Sequence, residues 1–287
     1  MTGPPDAGPL EVDVGDGLRL HVARSGGGPP LVLLHGFTGS TESWEPLRAA
    51  LGDRVATLAV DLPGHGRSGA PQDPARYALH RFADDLARAL DALDVERAAV
   101  LGYSMGGRAA LRFALQHPQR VAALVLESAS PGLEDARERT ERHAADLALA
   151  DTIERDGVGA FVDAWERLPL WASQAALPER SRARLRAQRL GNHPRGLANS
   201  LRGGGAGAEP PVTERLGELR LPSLVVAGVL DPKYVAIGRL LAAAMPRARL
   251  ELVPGAGHAV HLERPTELAD AVMAFLAEVP VAGGRWR

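Results

Sequence analysis

The chain alternates two kinds of segment. Short, mainly apolar runs at 31–34, 55–60, 98–101, 121–126, 223–227 and 249–253 are separated by longer stretches with apolar residues three or four apart. Leu79, Phe82, Leu86, Leu90 and Leu93 show the second pattern. A short apolar run fits a strand buried on both faces; the wider spacing fits an amphipathic helix. Helices are expected over 44–51, 79–93, 105–117, 234–245 and 266–276. Two further strands, 10–14 and 18–22, are expected to form a hairpin through Gly15-Asp16-Gly17. Strands alternating with helices imply an α/β fold, a mostly parallel sheet with helices on both faces.

The alternation stops at Ser130-Pro131-Gly132. From 133 to about 215 there is no strand-like run, only polar helical stretches such as 134–153 and the cluster Gly203-Gly204-Gly205. This reads as an inserted helical cap. The expected organisation is a first core part at 1–130, a cap at 131–215 and a second core part at 216–287. The tail 281–287 is expected to be loose.

Composition narrows the partners more than the fold. A formal net charge of −2 argues against nucleic acid or a membrane surface as partner. There is no cysteine, so disulfides, thiolate metal sites and a cysteine nucleophile are excluded. The nine histidines form no spaced ligand cluster with carboxylates, so no metal and no cofactor is expected. No apolar run reaches the length of a membrane span, and residues 1–9 lack a basic and an apolar region. A cytoplasmic location is expected; the oligomeric state is left open. Lys233 is the only lysine, so an arginine at any one site says little about a bidentate requirement.

Gly102-Tyr103-Ser104-Met105-Gly106 lies between the expected strand 98–101 and the helix that follows. In that setting G-x-S-x-G is a nucleophile elbow: a tight turn lifts the serine hydroxyl above the sheet edge. A serine needs a histidine to take its proton and a carboxylate to fix that histidine's tautomer. Asp231 follows strand 223–227 and His258 follows strand 249–253, so all three meet at the C-terminal sheet edge. Asp231 has a plainer reading as a helix N-cap before Pro232, and His261 competes with His258. The backbone N–H groups of Met105 and Phe37 are the expected anion-stabilising donors. His35, beside them, is read as a loop-bonding residue.

A triad alone does not choose the reaction. It can attack an ester carbonyl, or remove a proton α to a ketone. Arg108, four residues after Ser104, should point to the same side. A cation in a helix's first turn opposes the dipole, so an anionic neighbour would account for it; a salt bridge to a core carboxylate is the alternative. From 168 to 208 seven arginines face one acid, Glu179, which favours an acidic substrate.

These motifs resemble the α/β-hydrolase superfamily through His35-Gly36-Phe37, Asp61-x-Pro63-Gly64-His65-Gly66-x-Ser68, the elbow, Asp231 and His258. More narrowly the chain resembles the MenH family, the 2-succinyl-6-hydroxy-2,4-cyclohexadiene-1-carboxylate synthases of menaquinone biosynthesis. The matching stretches are Gly102 to Arg108, Ser128-Ala129-Ser130-Pro131-Gly132-Leu133 with Glu138-Arg139 and Arg142, Trp165 with Pro169, Gln188-Arg189 with Asn192, Ser200-Leu201-Arg202-Gly203, and Asp231-Pro232-Lys233-Tyr234. Gly204 and Ala206 depart from the family's larger apolar and hydroxyl residues in that glycine loop. The resemblance implies a carbon–oxygen lyase that releases pyruvate from a small substrate with three carboxylates. Ser104, His258 and Asp231 would supply the base, and Phe37 and Met105 the oxyanion hole. Tyr103, Arg108, Arg142, Trp165 and Arg189 would bind substrate. A carboxylesterase or carbon–carbon bond hydrolase with the same triad is the first rival, and a hydrolase-fold binding protein the second.

Overall fold

The computed structural model describes residues 10–280 and Trp286. In chain order, β1 (Leu10–Asp13), β2 (Arg19–Ser25) and β3 (Pro30–Leu34) precede α1 (Glu45–Leu51) and β4 (Ala56–Val60). Then come α2 (Leu79–Ala92), β5 (Ala98–Tyr103), α3 (Met105–Gln116) and β6 (Val121–Glu127). Between β6 and β7 (Ser223–Gly228) lie α4 (Ala136–Trp165), α5 (Glu179–Leu190) and α6 (Pro194–Gly204). The chain closes with α7 (Pro232–Ala244), β8 (Ala248–Val253), α8 (Val260–Glu263) and α9 (Pro265–Leu276).

The strands form one sheet in the order β1-β2-β4-β3-β5-β6-β7-β8. β1 and β2 are antiparallel to their neighbours, and β3 to β8 run parallel. The hairpin turn has φ of 90°, 53° and 73° at Gly15, Asp16 and Gly17, which explains its two glycines. β2 continues past the expected end at Val22 because residues 22–25 pair with β4.

Alternation within β3 assigns the two faces. Val32 and Leu34 pack with Phe82, Leu86 and Leu90 of α2 and Phe113 of α3. Leu31 and Leu33 pack with Leu47 and Leu51 of α1 and Leu268 and Val272 of α9. Each side chain so buried contributes about 1.5–3 kcal/mol. The helices between β6 and β7 have their own apolar centre, in which Ile153, Phe161 and Val162 of α4 meet Leu197 and Leu201 of α6.

Three local expectations change. The helix expected over 134–153 runs on to Trp165, broken at Gly157, whose φ of 84° no helix contains. The loop after β8 holds the single turn α8. Of the tail expected to be loose, Trp286 is buried against the α1–α9 face, and the rest of 281–287 lies outside the described residues, as do residues 1–9. Among the described residues no helix is long and apolar enough to cross a membrane.

Candidate active site

Ser104 joins β5 to α3 with φ 51° and ψ −108°, a conformation costly for a residue with a side chain. The flanking glycines make it feasible. A Cβ at Gly102 would collide with the Gly106 carbonyl, and one at Gly106 with the Leu34 carbonyl. The Ser104 N–H donates to Glu127 O at 2.9 Å, fastening the elbow to the end of β6.

The Ser104 hydroxyl donates to His258 Nε2 at 3.1 Å, and His258 Nδ1 donates to Asp231 Oδ2 at 2.8 Å. Asp231 Oδ1 accepts the Tyr234 N–H at 3.2 Å, so the aspartate both caps α7 and holds the histidine. One carboxylate thus makes both the helix-cap contact and the histidine contact that the sequence offers as alternatives. His258 and Asp231 are buried. The competing His261 faces away, donating from Nδ1 to Glu127 Oε1 at 2.8 Å. The ring of Tyr103 lies between these two histidines, 5.3 Å from His258 and 4.5 Å from His261. Burial pushes its hydroxyl pKa well above the usual value.

Among the described residues the N–H groups of Phe37 and Met105 have no acceptor. His35 shapes the loop that carries the first. Its Nδ1 donates to Gly36 O at 2.8 Å and its Nε2 accepts the Leu62 N–H at 3.0 Å. Burial holds its pKa at about 4, so the ring is neutral and serves the loop, as expected. Gly36 sits directly against the Tyr103 ring, where a Cβ would be 2.7 Å from Cε1.

The predicted arginines fall into two groups. Arg108 makes no ion pair among the described residues. Its Nη1 and Nη2 donate to the carbonyls of Gly205 and Gly204 at 3.2 and 2.9 Å. The alternative of a core salt bridge is thereby removed. Burial lowers its pKa, while Tyr234, Glu209 and Asp146 oppose that shift and Arg142 adds to it. Arg142 is half-exposed and donates from Nε to Asp146 Oδ1 at 2.8 Å. Both arginines act on the Tyr234 hydroxyl, whose pKa is raised by burial and lowered by them and by its hydrogen bond with Ser104.

Arg189 lies elsewhere, on α5. It is 5% exposed, paired through Nη1 with Glu166 Oε1 at 2.9 Å, and stacked 5.3 Å from the centroid of Trp171. Trp165 packs edge-on to Phe37 at 5.5 Å and lies 5.6 Å from Trp171. Trp171 in turn meets His258 edge-on at 5.6 Å.

Two aromatic residues against His258 are absent from the sequence-based site. Tyr234, with its ring at 4.5 Å, belongs to a stretch that carries the family resemblance, but its spacing signals a helix and gives the ring no role. Trp171 lies in a 3₁₀ segment, 169–176, with no periodicity to mark a buried face. Among the described residues no three His, Asp or Glu side chains are grouped to hold a metal.

Residues 29–265 match the family of the α/β hydrolase fold. A Bacillus subtilis protein provisionally named 2-succinyl-6-hydroxy-2,4-cyclohexadiene-1-carboxylate synthase is 44% identical, over 95% of this chain and all of its own length. The synthase of that name from Salmonella paratyphi C is 32% identical over 89% of this chain and 97% of its own. The solved structure of MenH from S. aureus superposes with a TM-score of 0.86 at 32% identity, covering 90% of this chain and 98% of that one.

Proposed function

We propose, for a chain that belongs to the α/β-hydrolase family and within it to the 2-succinyl-6-hydroxy-2,4-cyclohexadiene-1-carboxylate synthases, a lyase reaction driven by Ser104. The substrate is 2-succinyl-5-enolpyruvyl-6-hydroxy-3-cyclohexene-1-carboxylate, and the products are pyruvate and the 2,4-cyclohexadiene. His258 takes the Ser104 proton and Asp231 holds the resulting imidazolium. The serine oxygen removes the ring proton at C2, α to the succinyl ketone. The Phe37 and Met105 N–H groups hold the enolate oxygen; losing one such donor costs about 3–4 kcal/mol in related sites. As the ketone reforms, the ring double bond moves from C3–C4 to C4–C5, a C2–C3 double bond appears, and the C5–O bond breaks. The enolpyruvate released takes up a proton and becomes pyruvate. No water attacks and no acyl-enzyme forms.

The observation that carries this reading is the setting of the Ser104–His258–Asp231 chain. Cap residues lie against it, with the unpaired guanidinium of Arg108 on one group and Arg189 on the other. Hydrogen bonds to charged groups contribute roughly 1.5–3 kcal/mol each. Arg108, Arg142 and Arg189, with Tyr103 and Trp165, can thus fix a substrate bearing three carboxylates. Residues 131–215 act as the cap over the core formed by 1–130 and 216–287. The enzyme works in the cytoplasm on this small anion, without metal or cofactor and without nucleic acid or membrane as partner.

The test is pyruvate release from the purified pathway intermediate, run beside cleavage of a p-nitrophenyl ester. Fast pyruvate release without ester cleavage, abolished in Ser104→Ala, is expected. Ester cleavage alone would make the protein a hydrolase. Neither activity would return it to a binding role.

A further inference from the structure

Four N–H-bearing atoms of the cap are buried without an acceptor among the described residues: Nε1 of Trp165, Nε1 of Trp171, Nε2 of Gln174 and Nε of Arg189. They belong to one cluster. Arg189 stacks on Trp171 and donates from Nη2 to Gln174 Oε1 at 3.2 Å, and the two indoles lie 5.6 Å apart. Because a guanidinium can only donate, that bond fixes the amide of Gln174 with its NH₂ turned away from Arg189. Gln174 and Arg189 are both more than nine-tenths buried.

Native proteins rarely leave buried donors unpaired, and four together call for an acceptor. A carboxylate accepts only and offers about four lone-pair sites, whereas a water would bring two hydrogens of its own. Charge narrows the choice. Glu166 is shared between Arg186 and Arg189, and Asp163 pairs with Arg186, so the two cations already have two counter-charges. Such a neutral, donor-lined site suits a single carboxylate better than a phosphate dianion. The site touches the reacting groups, since Trp171 is edge-on to His258.

We propose that Gln174 and Trp171 are specificity-determining residues which, with Arg189, bind one carboxylate of the substrate beside His258. This rests on the lyase reading for the identity of the substrate. The group is separate from the Arg108–Arg142 group, so the substrate is held at two places, one at the unpaired guanidinium of Arg108 and one where the cation is already balanced by Glu166.

Gln174→Glu separates binding from structure, because it keeps the acceptor for Arg189 but replaces the donor by a negative charge. Trp171→Phe keeps the ring against His258 and Arg189 and removes only the N–H. Both variants should raise KM for the intermediate, by at least tenfold for Gln174→Glu and severalfold for Trp171→Phe, with kcat within about twofold. Unchanged KM, or a fall confined to kcat, would overturn the proposal. Titration of the wild type with succinate, followed by tryptophan fluorescence, reads the site without turnover. Saturable binding that inorganic phosphate does not mimic and that Gln174→Glu loses would support the subsite, even if pyruvate release failed and the lyase reading with it. Absent succinate binding, or binding retained in Gln174→Glu, would overturn it.

Discussion

Asp231 and Tyr234 are joined through the main chain, the carboxylate of the first accepting the N–H of the second at 3.2 Å while its other oxygen holds His258 at 2.8 Å. One side chain thus starts a helix and orients the base. Asparagine caps a helix about as well as aspartate, but its amide cannot stabilise an imidazolium.

Asp231→Asn should therefore split the two duties. The melting temperature should stay within a few degrees of wild type, while kcat falls by about 10⁴-fold, as in other triads. Thermal denaturation and pyruvate release measured on one preparation check this. A large drop in melting temperature would mean that the charge itself, and not the cap, steadies this end of α7.

Among the described residues Arg108 is held only by the carbonyls of Gly204 and Gly205, so its charge is open to a substrate anion. Arg108→Ala should lower kcat/KM by at least tenfold, about 1.4 kcal/mol. Arg108→Lys should restore little, because one ammonium cannot serve both carbonyls and a carboxylate with the same geometry. Near-wild-type turnover by both variants would remove Arg108 from the site.

Two buried histidines give the acid limb of the stability curve. Burial lowers the His35 pKa to about 4; burial with the nearby His35 lowers that of His65 to about 3. Both rings are neutral in the fold but take a proton in the unfolded chain below its value of 6.5. The unfolded state then binds more protons, so the stability is complete above pH 6.5. It falls toward pH 4 for His35 and pH 3 for His65, by about 1.4 kcal/mol per pH unit for each group. Replacing His65 by Gln should flatten the slope of unfolding free energy between pH 6.5 and 4; an unchanged slope would show that this ring does not contribute.

Glycines in the two regions should respond oppositely to alanine. At Gly106 the new methyl would strike the Leu34 carbonyl, whereas at Gly159 in α4 nothing among the described residues lies within 4 Å. Gly106→Ala should yield little folded protein. Gly159→Ala should gain about 1 kcal/mol from helix propensity. Chemical denaturation of the two variants measures the contrast.

The strands, the elbow and the order of Ser104, Asp231 and His258 are legible in the sequence because each follows from a short local pattern. Apolar runs mark strands whatever surrounds them, and small residues mark the turn where two backbones close together. The role of Asp231 is legible only as two rival readings, since nothing local says that a capping oxygen and a triad oxygen belong to the same carboxylate. Trp171 and Gln174 escape notice for a different reason. They sit in a 3₁₀ segment without a repeating face, and their importance comes from what α5 brings over them. The glycines before His258 favour it over His261 in the sequence, whereas the partners that separate the two rings, Ser104 and Asp231 for one and Glu127 for the other, lie 27 to 154 residues away.

The bond from the Ser104 N–H to the Glu127 carbonyl has an evolutionary consequence. Ser104 is anchored by two adjacent strands, β5 and β6, and that bond involves no residue inserted between β6 and β7. Substitutions between β6 and β7 therefore leave this anchor of the elbow in place, so the turn that carries Ser104 can be inherited while the insert above it diverges.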